Sequence, residues 1–249
     1  MRGMLVLAAY RAAAGRDDAS GLAAAVEIIH GYSLVHDDLP CMDDDDMRRG
    51  RMTVHRAHGL IAATAAGAAM IPLAAKVAHR SARGLRLPGR SCCTIVKMLM
   101  QAAGAGGMIG GQLLDIEAEG VALTRDGLDA VHAAKTGALI AASVGIGAIA
   151  AEASGDRLQA LERYGARVGL AFQIMDDVLD VTASTRELGK TAGRDAQRGK
   201  STYPALLGIR GAQARAERLV KEACEGLEVQ DVLTPELDGL ASFIVSRSH

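Results

Sequence analysis

Apolar residues recur along this 249-residue chain in helix-length runs, separated by short polar or glycine-rich breaks. The first clear run covers 22–39 and stops at Pro40, a residue that a helix does not readily continue through. A second covers 59–83, with Pro72 inside it, and is followed by a Gly/Pro break over 84–89. The third, 94–119, contains Gly104, Gly106, Gly107, Gly110 and Gly111, which predict a bend or very close packing. Thr124 is the predicted N-cap of a helix running through 151, and Asp156 that of a helix over 157–181. After a polar, turn-rich segment over 182–200, helices are expected at 204–226 and 235–246. No linker or fixed-period repeat divides the chain. The pattern predicts a single all-α domain over residues 1–249.

Composition sharpens this. Alanine occurs 47 times, whereas there are four Tyr, two Phe and no Trp, which favours helices and nearly excludes an all-β fold. A formal net charge of -1 and the scarcity of stacking rings argue against a nucleic-acid partner. Cys41, Cys92, Cys93 and Cys224 form no CxxC pair, so they read as reduced thiols of a cytoplasmic protein. Met1-Arg2-Gly3-Met4-Leu5 lacks the features of a signal peptide. Two uncharged stretches, 59–75 and 136–151, fall short of the roughly 18–20 apolar residues of a membrane span. They are read as buried helices whose small side chains permit close packing, with no membrane span.

Two acidic clusters carry the candidate chemistry. In the segment from His36 to Arg51, six aspartates fall within ten residues: Asp37, Asp38, Asp43, Asp44, Asp45 and Asp46. A solvated acidic loop is the usual fate of such a run. Here, however, it ends an apolar helix and leads directly into Arg48, Arg49 and Arg51. The second cluster, Asp176, Asp177 and Asp180, lies among Ile174, Met175, Val178 and Leu179. Asp176 and Asp180 are one helical turn apart, a repulsive spacing unless cations offset it. An exposed acidic stripe is the plainer alternative. Oxygen ligands without nearby thiolates suit hard divalent ions, above all Mg²⁺, which commonly shares its shell with substrate phosphates. Arg48 and Arg49 suit bidentate phosphate contacts, and Lys135, Lys190 and Lys200 add point charges. The chain has no GxxxxGK[ST] phosphate loop.

The blocks AAAVEIIHGYSLVHDDLPCMDDDDMRRGRMTVH, GGQLLDIEAEG, HAAKTGAL, GLAFQIMDDVLDV and LGKTAGRDAQRGKSTYPALLG resemble the short-chain trans-isoprenyl diphosphate synthases, the farnesyl and geranylgeranyl diphosphate synthases, along essentially the whole chain. The resemblance implies an isoprenoid-synthase-like helical bundle around a central cavity, normally a homodimer. It implies that Asp37, Asp38 and Asp43 face Asp176, Asp177 and Asp180 across the cavity mouth and bind roughly three Mg²⁺ ions shared with the allylic diphosphate. By the same match Arg48, Lys135, Thr136, Gln173, Lys190 and Lys200 hold the allylic diphosphate. Arg2, His30 and Arg49 match positions that hold isopentenyl diphosphate. The implied reaction joins isopentenyl diphosphate to dimethylallyl, geranyl or farnesyl diphosphate, and no side chain is assigned as the general base.

Asp37 and Asp43 would lie on different faces of a regular helix, so the chain must break at Pro40 for both to reach metal. Tyr32, five residues before Asp37, matches a position that sets product length, and favours a C15 farnesyl product slightly over C20. Two departures stand out. Relatives usually carry an earlier helix ending in a GGKxxRP-like motif, of which this chain has only the final part. A usual Gly-Asp pair reads Gly67-Ala68. These leave open a truncated or non-catalytic partner subunit. A class I terpene cyclase would require an Asn/Ser/Glu motif in place of the second cluster.

Overall fold

The computed structural model describes residues 1–182 and 199–247. The chain winds through α1 (Arg2–Ala12), α2 (Ser20–Asp37), a two-stranded hairpin of β1 (Met47–Arg48) and β2 (Arg51–Met52), α3 (Val54–His58) and α4 (Leu60–Gly84). It continues through α5 (Gly89–Ala103), α6 (Met108–Glu117), α7 (Arg125–His132), a π turn (Ala133–Gly137), α8 (Ala138–Ala150) and α9 (Gly155–Thr182). Beyond the undescribed stretch come α10 (Tyr203–Glu228) and α11 (Pro235–Ser246).

Helix starts follow local chemistry. Thr124, Thr202 and Thr234 each accept, through Oγ1, the N–H of the residue three positions later. Pro204 and Pro235 occupy first-turn positions, where a missing N–H costs nothing. Asp156 lies in the first turn of α9 rather than at its N-cap, because the helix begins two residues earlier than expected. The predicted 94–119 helix is two helices, because the chain breaks at Gly104, the C-cap of α5, and restarts after Gly107. Gly208, with φ 69°, kinks α10 in a backbone region that favours glycine.

Two apolar cores meet at α1 and α8. One joins those helices to α9, α10 and α11, and includes Leu5, Ile140, Val144, Leu161, Ile174 and Leu237. The other joins them to α2, α4 and α5 through Val6, Leu22, Ile29, Ile95, Leu99 and Leu139. Glycine permits the closest crossings. A Cβ at Gly147 of α8 would lie 2.3 Å from the Val6 carbonyl oxygen, and one at Gly169 of α9 would lie 2.9 Å from Gly137 Cα. Tyr164 ties α9 to α11 by donating its hydroxyl to the Leu237 carbonyl at 2.7 Å.

The structure corrects the reading of the uncharged stretches. That of 136–151 is buried in α8, but α4 is largely exposed, with Ile61 at 87%. Both stretches also belong to longer helical segments. Leu60–Gly84, Gly89–Glu117 and Arg125–Ala150 are long and apolar enough to cross a membrane by length and composition. The reason is that helix continues past the uncharged residues, in α4 through Lys76, His79, Arg80 and Arg83.

Gly147→Ala should lower stability by about 1–3 kcal/mol, because the new methyl meets backbone that cannot yield. Gly226→Ala in α10 meets nothing within 4 Å and should instead stabilise by about 0.5–1 kcal/mol. Urea denaturation of the two variants checks the contrast; equal effects would refute it.

Candidate active site

α2 ends at Asp37, and the chain then turns back on itself. The Asp43 N–H donates to the Asp37 carbonyl at 2.8 Å, and the Asp45 N–H to the Asp38 carbonyl at 3.2 Å. This return brings Asp37, Asp43 and Asp45 to one cavity wall. The β1–β2 hairpin turns through Arg49 and Gly50, with φ 51° and 74°, and directs Arg48 back over the turn. Arg48 Nε donates to Asp38 at 2.8 Å (Oδ1) and 3.0 Å (Oδ2), with Nη2 at 2.6 Å from Oδ1. Asp38 is 3% exposed and stands behind Arg48, which itself lines the cavity.

Across the cavity, α9 presents Gln173, Asp176, Asp177 and Asp180. Their partners differ. Asp177 is buried and accepts from Gln173 Nε2 (3.2 Å) and the Tyr203 N–H (3.1 Å), and it lies 3.1 Å from His132 Nε2. His132 stacks on Tyr203, whose hydroxyl donates to Asp129. Asp176 pairs with Arg247 at 2.6 Å, and this guanidinium lies 3.9 Å from the centre of the Phe172 ring. Among the described residues, Asp180 Oδ2 is buried without a hydrogen-bond partner.

The third wall is the π turn. Its extra residue per turn sets Lys135 and Thr136 on the cavity, a common use of such insertions at functional sites. Thr136 donates to Gln173 Oε1 at 2.7 Å. Lys135 and Lys200 both reach Asp115 on α6. α6 packs so closely here that a Cβ at Gly111 would lie 2.1 Å from the Lys135 nitrogen. At the far end Arg2 lies 3.3 Å from His30 Nε2, and Arg49 joins them. Burial and the Arg2 charge push His30 down to about 4, so its ring is neutral near pH 7.

Together these residues enclose a cavity of about 580 Å³, with Leu34, Met108, Leu139 and Phe172 among its apolar lining. A family profile described as "Polyprenyl synthetase" matches residues 1–233. The chain is a member of the polyprenyl synthetase family. It is 46% identical to the farnesyl diphosphate synthase of Escherichia coli (strain K12), over 91% of this chain and 77% of that one. Geranylgeranyl pyrophosphate synthase 11 of Arabidopsis thaliana, a chloroplastic protein, is 41% identical over 100% of this chain and 71% of its own. Among solved structures, the Helicobacter pylori geranyltransferase complexed with magnesium and isoprenyl diphosphate superposes with a TM-score of 0.84 at 31% identity. That match covers 98% of this chain and 81% of the other. Geranylgeranyl pyrophosphate synthetase from Pyrococcus horikoshii gives 0.86 at 30%, covering 99% and 85%.

Of the residues expected at this polyprenyl synthetase site, Arg2, His30, Asp37, Asp43, Arg48, Arg49, Lys135, Thr136, Gln173, Asp176, Asp177, Asp180 and Lys200 line the one cavity. Asp38 is set back, and Lys190 lies outside the described residues. Tyr32 also stands back from the cavity. It packs edge-on against His36, with ring centroids 4.9 Å apart, within the cluster that holds Met108 and Leu139. Asp115, Gln112, His132 and Arg247 escaped the sequence reading. Asp115 and Gln112 fall inside the GGQLLDIEAEG segment, but nothing in their spacing marks a site. Arg247 lies beyond the last block.

Among the described residues no three His, Cys, Asp or Glu side chains form a ready-made metal cage. The donor set nonetheless fits a hard divalent ion that takes one or two carboxylates and completes its shell with water and phosphate oxygens. The buried Asp180 Oδ2 is one such donor.

Burial pushes the Asp37 carboxyl up to about 6; Asp43 and Asp38 add to this, and Lys135 and Arg48 oppose it. The folded protein thus keeps a proton that the unfolded chain releases near the ordinary 3.8. Stability of metal-free protein should fall as pH rises through that window and stay lower above it. Asp37→Asn should therefore raise unfolding free energy by about 1–2 kcal/mol near pH 7 in chelator, with no gain below about pH 4. Urea titrations at the two pH values test this; an equal effect at both would discard it.

Proposed function

We propose that this protein is a Mg²⁺-dependent trans-prenyltransferase that condenses isopentenyl diphosphate with allylic diphosphates into a short-chain all-trans prenyl diphosphate. The supporting observation is the single cavity flanked by Asp37 and Asp43 on one wall and Asp176 and Asp180 on the other, with five basic side chains between them: Arg2, Arg48, Arg49, Lys135 and Lys200.

In this reading Arg48, Lys135, Thr136, Gln173, Lys190 and Lys200 hold the allylic diphosphate, while Arg2, His30 and Arg49 hold that of isopentenyl diphosphate. Asp37, Asp43, Asp176 and Asp180 would hold Mg²⁺; Asp38 acts by fixing Arg48 and Asp177 by fixing Gln173 and His132. Bound Mg²⁺ supplies charge neutralisation at the diphosphate oxygens. Lys135, Lys200 and Arg48 take up negative charge as the allylic C–O bond breaks and its electron pair leaves with diphosphate. The isopentenyl double bond attacks the electron-poor allylic carbon. A proton is then lost to the released diphosphate, and a new alkene forms. Leu34, Met108 and Leu139 keep water from the cationic carbon.

We assign a C15 product in preference to C20. Ser33, Met108 and Leu139 form the nearer wall, with Tyr32 among the residues of the same cluster behind it. The functional protein is proposed to be a homodimer, in which a second copy covers the apolar α4 face that exposes Leu60, Ile61 and Leu73. Four free cysteines suit a reducing, cytoplasmic setting.

Assays with isopentenyl diphosphate and each allylic primer should give product only with Mg²⁺. Lack of product with every primer would favour a non-catalytic partner subunit. Light scattering should give about twice the chain mass of 25.8 kDa; a monomer would contradict the dimer. Tyr32→Ala should lengthen the product. If Met108→Ala lengthens it and Tyr32→Ala does not, the floor is the nearer wall.

A further inference from the structure

Asp115 lies in the GGQLLDIEAEG segment, yet it takes no part in the proposed reaction. It lies on α6 at the cavity wall, with its side chain 14% exposed. One oxygen, Oδ2, accepts from Lys135 Nζ at 2.6 Å and from Lys200 Nζ at 2.7 Å. Since both contacts end on the same atom, the two ammonium nitrogens are no further apart than those contacts laid end to end. A single diphosphate spans such a gap. The lysines come from the π turn and from the approach to α10, far apart in sequence.

The local fold is committed to this arrangement. The close seat at Gly111 presses α6 onto the π turn, one helical turn before Asp115. Burial pushes Lys135 down, but Asp115, with Asp43 and Asp37, more than reverses this. In return the two lysines hold Asp115 below the usual carboxylate range despite its burial. Each ammonium has three N–H donors, so one spent on Asp115 leaves donors for a ligand. Without the carboxylate, two like charges at this spacing would repel and part.

We propose that Asp115 is a positioning residue for the allylic diphosphate, holding Lys135 and Lys200 as a two-cation clamp on one diphosphate group. The proposal rests on the prenyltransferase reading of this cavity. A purely structural ion pair would affect stability alone; a clamp must also affect anion binding and its pH dependence.

The test titrates the full chain calorimetrically with inorganic pyrophosphate, and follows turnover against pH. Asp115→Asn should weaken pyrophosphate binding about 10- to 100-fold, the scale of a lost charge-assisted hydrogen bond. It should raise KM for the allylic substrate in the same range and shift the alkaline limb of kcat/KM to lower pH. Asp115→Glu, which keeps the charge but displaces the oxygen, should restore that limb and part of the affinity. Wild-type pyrophosphate affinity and an unmoved alkaline limb in Asp115→Asn would overturn the clamp, whatever the change in Tm. Should Asp115→Asn fail to fold, wild-type pyrophosphate affinity in Asp115→Glu would overturn it equally. If wild-type protein turns over no prenyl substrate, the prenyltransferase reading fails, and the pyrophosphate comparison still decides the clamp.

Discussion

Carboxylates gathered at one cavity repel each other, and the rest of this architecture answers that repulsion. Asp38 is neutralised by Arg48, Asp176 by Arg247, and Asp115 by two lysines. Asp177 is met by an amide, an imidazole and a backbone N–H. Arg48 and Gln173 are local partners, but Arg247, His132, Tyr203 and the two lysines come from remote parts of the chain, so the site forms only when those helices close together. Burial leaves the Asp37 carboxyl pushed up to about 6, and among the described residues Asp180 keeps an oxygen without a hydrogen-bond partner. A helical scaffold that buries acids in this way gives up part of its stability, which a cation bound at those acids would restore.

The two aspartate clusters look alike in sequence but differ in construction. The α9 cluster stays on a continuous helix, so its members share a wall by periodicity alone. The α2 cluster reaches the cavity only because the helix stops: the N–H of Asp43 returns to the carbonyl of Asp37, across the turn that contains Pro40. The extra residues in that turn, which a helical wheel would place on the wrong face, become the means of bringing Asp43 beside Asp37. In both clusters the second aspartate is withdrawn into hydrogen bonds. The repeated acids thus divide into those whose oxygens face the cavity and those held by neighbouring donors.

Much of this was legible beforehand. The glycine run at 104–111 marked the α5–α6 break, Thr124 marked a helix start, and residues of both acidic clusters line one cavity. What escaped has physical reasons. α1 reads weakly because it is buried on several sides and shows no polar stripe. The π turn was invisible because Ala133–Gly137 has the composition of an ordinary helix; only the contacts of α6 with it reveal the altered register. Arg247 and Asp176 are 71 residues apart, beyond the reach of any local pattern. The α4 stretch misled because an Ala-rich apolar run looks the same whether its partner lies in its own chain or outside it.

Small residues connect these findings. Where Gly147, Gly165 and Gly169 let helices touch backbone to backbone, α8 and α9 are locked with little room for adjustment. Gly67 serves a different purpose: it makes room for the His36 ring, whose Nε2 lies 3.2 Å from the Thr64 carbonyl. That contact pins the last turn of α2 to α4 immediately before Asp37. A methyl at Gly67 would collide with the His36 ring and so displace the last turn of α2 beside Asp37. The neighbouring Ala68 makes no such demand, so the missing aspartate of the usual pair leaves the seat of α2 intact.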